Sequence, residues 1–142
     1  MGLVIWLFNR IYCNVYNCGF KEQIEMKNKE STRYASEIQE KRICSKLGGV
    51  RTPNSGAGLF KKGDIQIPEV GLLIECKTCM TPKNSFSIKK EWLEKNKQEL
   101  FASGLSNSVI AFNFDYEDKK DYYVIDDKLM RYLVEKLIEE TE

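Results

Sequence analysis

Two apolar-alternating runs joined by a short connection are the feature that most constrains the fold of this chain. The runs cover residues 64–67 and 72–79, and Pro68-Glu69-Val70-Gly71 connects them. Alternation with a period of two predicts strands with one buried face, and a short connection that contains Pro and Gly predicts an antiparallel hairpin. The fold must therefore supply further elements that cover this hairpin.

The register of the hairpin brings charged side chains together. If Ile67 pairs with Leu72 across the turn, stepping outward along both strands places Asp64 opposite Glu75. Directly opposed side chains have Cβ atoms about 4.5–5.5 Å apart, and Lys77 lies further along the same face. Two carboxylates so close repel each other unless a cation lies between them. Carboxylates on adjacent strands are ligands that suit Mg²⁺, so this face is a candidate metal site. The alternative is a solvated hairpin face with ordinary surface charges.

The absence of histidine limits the chemistry. With no histidine among 142 residues, the chain cannot form Ser-His-Asp or Cys-His triads, histidine-based zinc sites or a histidine general base. A catalytic function would need carboxylates, lysines, thiols or a metal ion. The length fits a single domain.

Charge is distributed unevenly along the chain. The net charge is only +1, but residues 41–97 contain twelve basic and five acidic side chains, whereas residues 115–142 contain five basic and ten acidic ones. This asymmetry suits a protein that binds a polyanion on one face, and the alternative is that the charges simply solvate helices.

The remaining patterns predict an α/β fold with a mixed sheet and helices packed against it. A helix is expected from Ser31 or Thr32 to about Leu47, ended by Gly48-Gly49, and a loop is expected from Val50 to Gly63. The later elements are a helix at 87–102, strands at 108–114 and 122–125, and an amphipathic helix at 127–139.

The hairpin also carries a family resemblance. Gly63-Asp64-Ile65 and Ile74-Glu75-Cys76-Lys77 resemble the catalytic motif of the PD-(D/E)XK nuclease superfamily, with Gly63 in place of the nominal proline. Residues 40–58 resemble the helix and Ser-Gly loop of archaeal-type and phage Holliday junction resolvases. The resemblance covers about residues 36–114. It implies a restriction-endonuclease-like fold for residues 31–142, with a mixed central β-sheet flanked by helices.

The resemblance implies roles for the residues of the hairpin. Asp64 and Glu75 would be metal ligands, the carbonyl of Cys76 a further ligand, and Lys77 the catalytic lysine. The expected cofactor is Mg²⁺, for which Mn²⁺ could substitute.

Residues outside the hairpin complete the implied site. A glutamate of the first helix should approach the metal, and Glu40 is the first choice because it falls on the apolar side of the helix, with Glu37 as the alternative. Ser55 matches a serine that assists catalysis in resolvases. Gln98 is expected near the site and Trp92 in the core. The expected DNA contacts are Arg51, Lys61, Lys62, Lys89 and Lys90.

The function implied is that of a Mg²⁺-dependent, structure-selective DNA endonuclease, most specifically a Holliday junction resolvase. Symmetric nicks in a four-way junction need two active sites, so a homodimer is expected. The alternatives are another repair, restriction or single-strand nuclease of this superfamily, and a non-catalytic DNA-binding module.

The N-terminal residues 1–30 are interpreted as an extension that forms a dimer arm or lies upstream of the true start. Its apolar run at residues 3–8 is too short for a signal peptide or a membrane span. Five cysteines without a secretion signal predict a reducing, cytoplasmic location. A zinc site at Cys13 and Cys18 remains open, and the CxxC at residues 76–79 is not expected to bind metal because it lies in a strand.

Overall fold

The structure is a computed structural model that describes residues 32–52 and 63–141. It consists of a five-stranded mixed sheet with helices, which confirms the α/β class predicted from the sequence. The elements are α1 (Thr32–Leu47), β1 (Val50–Arg51), β2 (Ile65–Ile67), a 3₁₀ turn (Pro68–Val70), β3 (Leu72–Lys77), α2 (Lys90–Ser103), β4 (Asn107–Phe112), β5 (Tyr122–Val124) and α3 (Asp127–Glu139).

The strands follow one another across the sheet in chain order, from β1 to β5. Among the strands of the described residues, only β3 and β4 are parallel, and α2 provides the crossover that a parallel connection requires. The other three pairings are antiparallel. The centre of the sheet is therefore β3, the strand that carries Glu75 and Lys77.

The predicted hairpin register is confirmed along the length of β2. The three pairs are Ile67–Leu72, Gln66–Leu73 and Ile65–Ile74. The ladder ends there. Continuation of the register would pair Asp64 with Glu75, but the backbone N–H of Asp64 donates instead to the carbonyl of Ile74, at 3.0 Å. The direct pairing of Asp64 with Glu75 expected from the sequence is therefore not formed, and Asp64 lies where the ladder ends.

The core lies between α1 and one face of the hairpin. Ile43 of α1 packs with Ile65, Ile67 and Ile74 of the hairpin and with Ala111 of β4. These side chains are 0–7% exposed. The apolar face that the alternation predicted is thus the face covered by α1.

The opposite face of β3 is also covered at its first half. Leu73 is fully buried, as is Ile110 of β4, and the side-chain amide of Asn96 on α2 donates to the carbonyl of Val109 at 3.2 Å. The charged residues Glu75 and Lys77 follow Leu73 on this same face. They therefore lie at the end of a buried strand rather than on a solvated one.

Several expected boundaries are wrong. Val50 and Arg51 were expected in a loop, but they form an edge strand because β2 offers them unpaired backbone groups. The second helix begins at Lys90 rather than near Ser87. The last helix has the predicted bounds, but none of its thirteen residues, all of which the structure describes, is buried, so it does not pack against the sheet as expected.

The residues before Thr32 lie outside the described part of the chain, so the predictions for the extension at 1–30 and for Cys13 and Cys18 concern residues that the structure does not describe. Among the described helices, none combines the length and the apolar character needed to cross a bilayer.

Candidate active site

The side chain of Asp64 is fixed at the end of β2 by backbone groups on both sides. Its Oδ2 accepts a hydrogen bond from the N–H of Cys76 at 2.7 Å. This carboxylate oxygen takes the place of the backbone carbonyl that would accept from Cys76 if the ladder continued. Its own carbonyl accepts from the N–H of Thr52 at 2.8 Å. The carboxylate is held at one oxygen, and Oδ1 accepts no hydrogen bond from the described residues.

Gly63 is required by the backbone that leads into Asp64. Its φ of 70° lies in the left-handed region, and a Cβ at this position would lie 2.5 Å from Cδ1 of Leu73. Its N–H donates to the Glu99 carboxylate at 3.1 Å. Proline fits none of these conditions, because its φ is locked near −65° and it has no N–H. The departure from the nominal proline thus has a physical reason in this chain.

Glu75 and Lys77 form an ion pair on the face covered by α2. The Lys77 ammonium lies 2.8 Å from Oε1 of Glu75, and the two side chains are 25% and 14% exposed, respectively. The same ammonium lies 5.1 Å from the centroid of the Trp92 ring, within the range of a cation–π contact. Trp92 is half-buried and contributes to the site as well as to packing.

The electrostatic environment of Glu75 disfavours its charge. Burial raises the pKa of Glu75, and the nearby Asp64 carboxylate raises it further, while Lys77 and Lys95 act in the opposite direction. A carboxyl group whose pKa is raised by burial and by a second carboxylate is stabilised in its ionised form by a bound cation.

Glu40 approaches Asp64 from α1. Its Oε2 accepts hydrogen bonds from Nε and Nη2 of Arg51, both at 2.9 Å, and its side chain is 13% exposed. Burial raises the pKa of Glu40, the hydrogen bond from Arg51 lowers it, and the charge of Asp64 raises it again. Asp64 therefore interacts with partly buried carboxylates from two elements, Glu40 on α1 and Glu75 on β3.

Glu37 occupies a different position on α1. Its side chain is 39% exposed and forms only surface ion pairs with Arg33, at 3.6 Å, and with Lys41, at 3.8 Å. The geometry therefore favours Glu40 over Glu37 as the glutamate of α1 that belongs to the site. We refer below to Glu40, Asp64, Glu75 and Lys77 as the carboxylate site.

Cys76 offers its backbone carbonyl rather than its thiol. In an extended strand the N–H and C=O of one residue point to the same side, so the carbonyl points toward Asp64, as the N–H does. Burial raises the pKa of the Cys76 thiol far above its usual value, and the Asp64 and Glu40 charges add to this effect. The thiol therefore stays protonated, and thiolate ligation of a metal is disfavoured.

Cys79, which follows the end of β3, is buried. Its N–H donates to Oδ1 of Asn113 at 2.9 Å, which draws the chain inward after β3. Cys76 packs against the core, as expected for the strand.

The carboxylate site offers a metal ion few protein ligands, so water molecules would have to complete the coordination of a bound ion. Among the described residues, no group of three or more His, Cys, Asp or Glu side chains is arranged to hold a metal ion. Asp64 and Glu75, with the Cys76 carbonyl, are the ligands that the arrangement offers, and Glu40 interacts electrostatically with Asp64. Mg²⁺ fits such an open oxygen site, because it keeps several waters and commonly uses one or two carboxylates.

A buried polar network ties α1 to the end of β3. Gln39, which is fully buried beside Glu40, accepts a hydrogen bond from the hydroxyl of Thr78, the residue after Lys77. The amide of Gln39 donates to Asp121 at 3.3 Å, and the guanidinium of Arg42 donates to both oxygens of Asp121 at 2.7 and 2.8 Å. These bonds fix the two elements that carry Glu40 and Lys77 relative to each other.

The sequence missed several neighbours of the site. Arg51, for which the sequence predicts a DNA contact, also pairs its guanidinium with Glu40, and the sequence did not indicate this ion pair. Glu99, rather than Gln98, faces the site through its bond to Gly63, and Gln98 is exposed. Lys95 lies 3.5 Å from the Glu99 carboxylate. Only the acidic and basic character of α2 indicated these contacts.

The other expected DNA contacts divide into two groups. Lys89 and Lys90 are exposed at the start of α2, where they form loose surface ion pairs at 3.7 Å and 3.3 Å with Glu91 and Glu94. The remaining predicted residues, Ser55, Lys61 and Lys62, lie in the range 53–62, outside the described part of the chain.

Comparison with known proteins adds no relative, since no family model, curated protein or solved structure matches the chain. The geometry of the carboxylate site is therefore the observation from which a function can be inferred.

Proposed function

We propose that the protein is a Mg²⁺-dependent DNA endonuclease with a PD-(D/E)XK-type site, and specifically a Holliday junction resolvase. The observation that carries the proposal is the placement of the Asp64 carboxylate on the N–H of Cys76, beside Glu75 and its ion-paired Lys77.

The carboxylates and the Cys76 carbonyl are the groups that would hold the ion. Asp64 and Glu75 would bind it through their oxygens, and Glu40 would add a negative charge that acts together with that of Asp64. When bound, Mg²⁺ supplies a water of lowered pKa and a positive charge beside the scissile phosphate. The raised pKa values of Glu40 and Glu75 support this role, because a cation relieves the repulsion that raises them.

Lys77 would supply the positive charge of the protein itself. Its ammonium, held by Glu75 and by the Trp92 ring, can orient a water for in-line attack on phosphorus and offset the charge that develops on the phosphate oxygens. The products that the family resemblance implies are a 5′-phosphate and a 3′-hydroxyl. Loss of such a group costs about 10²–10³ in rate.

The DNA would approach from the start of α2. Lys89 and Lys90 are exposed there, Lys89 lies 5.5 Å from the Trp92 ring that also contacts Lys77, and the segment belongs to the basic middle of the chain. Contacts from these lysines to phosphates would position the backbone without reading its sequence. This suits a substrate recognised by its branched shape.

A junction resolvase needs two copies of the chain. The described part of the chain holds one Asp64, Glu75 and Lys77 set, and paired nicks on opposite strands require two sites related by a twofold axis. We therefore propose a homodimer that acts in the cytoplasm, where free thiols such as Cys44 and Cys76 persist.

The test is a cleavage assay on four end-labelled substrates, namely a four-way junction, a flap, a linear duplex and a single strand. Each substrate is incubated with Mg²⁺ or with EDTA. Wild-type protein is compared with Lys77→Ala and with Glu69→Gln, a control that changes an exposed carboxylate of the same hairpin.

We expect Mg²⁺-dependent symmetric nicks in the junction, their loss in Lys77→Ala, and normal cleavage by Glu69→Gln. Equal cutting of linear duplex would contradict the resolvase assignment and favour a general repair or restriction nuclease. DNA binding without cleavage of any substrate would contradict the enzyme and favour a binding module.

A further inference from the structure

Aromatic side chains lie together on the face of the sheet that carries Glu75 and Lys77. Phe112 of β4 is the parallel partner of Lys77, and Tyr122 of β5 is the antiparallel partner of Phe112, so these side chains share one face. Among the described residues, the fully buried apolar side chains include no aromatic ring. We call this partly exposed cluster the aromatic patch, and it consists of Phe86, Trp92, Phe112, Phe114 and Tyr122.

Three rings of the aromatic patch form a stack. Phe86 and Phe112 have centroids 4.6 Å apart and planes 18° apart, and Phe112 and Tyr122 have centroids 5.6 Å apart and planes 28° apart. Phe114 packs edge-on against Phe112 at 5.5 Å and with an interplanar angle of 69° against Tyr122 at 5.3 Å. Contacts of this kind fix ring orientation, so Tyr122 ends a nearly parallel series of rings.

Tyr122 is the open end of this stack. Its side chain is 44% exposed, and it lies on β5, the edge strand of the described sheet. Both of its ring contacts, with Phe112 and Phe114, come from the side of β4. The side of the ring away from β4 is therefore the one that a ligand can reach. Because its neighbours already fix the ring, it loses little conformational freedom when a planar group stacks on it.

Cations border the Trp92 end of the aromatic patch. The centroid of Trp92 lies 6.1 Å from that of Phe86. The ammonium groups of Lys77 and Lys89 lie 5.1 Å and 5.5 Å from the centroid of Trp92. Lys89 also forms a surface ion pair of 3.7 Å with Glu91, which contributes little and does not prevent contact with a ligand. This end of the patch therefore attracts an anion.

The charges around the aromatic patch give its ligand a direction. Lys83 is exposed, and its backbone N–H donates to the carbonyl of Phe114 at 2.9 Å, so the segment that leads to Lys89 is tied to the patch. The chain directly after Phe114 is acidic, with Asp115, Glu117 and Asp118. A phosphate is thus attracted to the lysine end, and an uncharged planar group suits the ring of Tyr122. A nucleotide has both groups, and proteins that bind single strands combine cations with exposed aromatic rings in this way.

We infer that the aromatic patch binds an unpaired base of the DNA substrate, stacked on the exposed side of Tyr122, with the adjoining phosphates toward Lys77 and Lys89. A linear duplex offers no such base, because its bases are paired and stacked on both sides, whereas branch points, flaps and single strands do. The patch therefore selects DNA with an unpaired base close to the carboxylate site. This inference rests on the proposal that DNA binds at that site, but it does not depend on cleavage.

Fluorescence titration with a single strand tests the assignment. The probe is a thymidine oligonucleotide of about 15 nucleotides with one central 2-aminopurine, a base whose fluorescence is quenched when it stacks on a ring. The full chain is used in EDTA, so that cleavage does not interfere. Wild-type protein is compared with Tyr122→Ala, with Tyr122→Phe, which keeps the ring, and with Tyr123→Ala. Tyr123 is the matched control, because it is the next residue of β5, is 39% exposed and lies on the opposite face.

We expect quenching by the wild type, by Tyr122→Phe and by Tyr123→Ala. Loss of one stacked base lowers affinity by about fivefold or more, so Tyr122→Ala should bind the single strand that much more weakly and quench little. The loss of affinity should be smaller for a linear duplex, which has no unpaired base to place on the ring.

The outcomes separate this inference from the proposed function. Equal binding and quenching by Tyr122→Ala and Tyr123→Ala would overturn the inference even if the wild type cleaves junctions. A Tyr122→Phe protein as weak as Tyr122→Ala would also overturn it, because the hydroxyl and not the ring would then be responsible. Quenching that depends on Tyr122, without cleavage of any substrate in Mg²⁺, would support the inference and contradict the nuclease. Failure to bind any DNA would overturn both.

Discussion

Replacement of Gly63 tests the local structure that presents Asp64. In Gly63→Ala the new residue must keep a φ of 70°, which costs about 1–2 kcal/mol for an L-residue. The added Cβ would also lie 2.5 Å from Cδ1 and 2.9 Å from Cγ of Leu73, a side chain that is fully buried and cannot move outward. Overpacking of this kind costs about 1–3 kcal/mol, so the total loss of stability should be about 2–5 kcal/mol.

A second glycine separates these two contributions. Gly104 has the same φ of 70°, but no heavy atom of the described residues lies within 4 Å of a Cβ built on it. Gly104→Ala should therefore cost only the backbone term of about 1–2 kcal/mol. Gly63→Pro should be the most destabilising of the three, because it also removes the N–H that donates to the Glu99 carboxylate, a bond worth about 1.5–3 kcal/mol.

Urea denaturation followed by circular dichroism measures these differences, with the midpoint compared at constant slope. The expected order of stability is wild type, Gly104→Ala, Gly63→Ala and Gly63→Pro. Equal midpoints for the two alanine variants would show that Leu73 yields without cost. A Gly63→Pro protein as stable as the wild type would refute the explanation given for the missing proline.

The remaining predictions concern the carboxylate site and its DNA contacts. The pKa of Glu75 is raised in the folded protein, so ionisation of this carboxyl group destabilises the metal-free fold. The loss of stability is complete at pH values above the raised pKa, and it is absent at pH values below the ordinary pKa of 4.5. Glu75→Gln should thus raise Tm in EDTA near pH 7, and the gain should vanish near pH 4. Glu40→Gln should lower the cleavage rate by about tenfold or more and Glu37→Gln much less; the reverse order would exclude Glu40. DNA binding should weaken with salt, with a log–log slope of about −0.9 per phosphate neutralised, and Lys89→Ala or Lys90→Ala should each reduce the slope by about one contact; a salt-independent affinity would contradict the basic face.

The elements predicted most accurately are those determined by local signals. The hairpin register follows from a period-two pattern and a four-residue connection, and both are properties of neighbouring residues. The end of α1 at Leu47 follows from Gly48, whose φ of 77° closes the helix. Helical phase also placed Glu40 on the less exposed side of α1 and Glu37 on the more exposed one, because the apolar residues of that helix indicate its inner side.

The parts that could not be predicted depend on distant contacts or on small shifts of phase. The ion pair between Arg51 and Glu40 forms only if β1 lies beside β2. A strand of two residues has no sequence pattern from which this pairing could be predicted. Glu99 faces the site where Gln98 was expected, because an error of one residue rotates a helical side chain by about 100°. The Asp64–Glu75 pairing was wrong because the ladder ends at Ile65, one residue earlier than simple extension of the register assumes.

The exposed face of α3 illustrates a different limit. Its amphipathic pattern predicted the helix bounds correctly, but the pattern states only that one face is to be buried and not which surface covers it. Packing against the sheet was the simplest assumption, and the exposed fractions of Leu133 and Leu137 exclude it for the described chain.

The most direct test of the central claim is a metal titration of the carboxylate site. Calorimetry with Mn²⁺, in the absence of DNA, compares the wild type with Asp64→Asn, Glu75→Gln and the control Glu69→Gln, whose carboxylate is exposed on the same hairpin. The account predicts one site per chain that both site variants lose and the control keeps. Binding of equal affinity in all four proteins would show that Asp64 and Glu75 do not hold the ion, and would contradict the proposed active site.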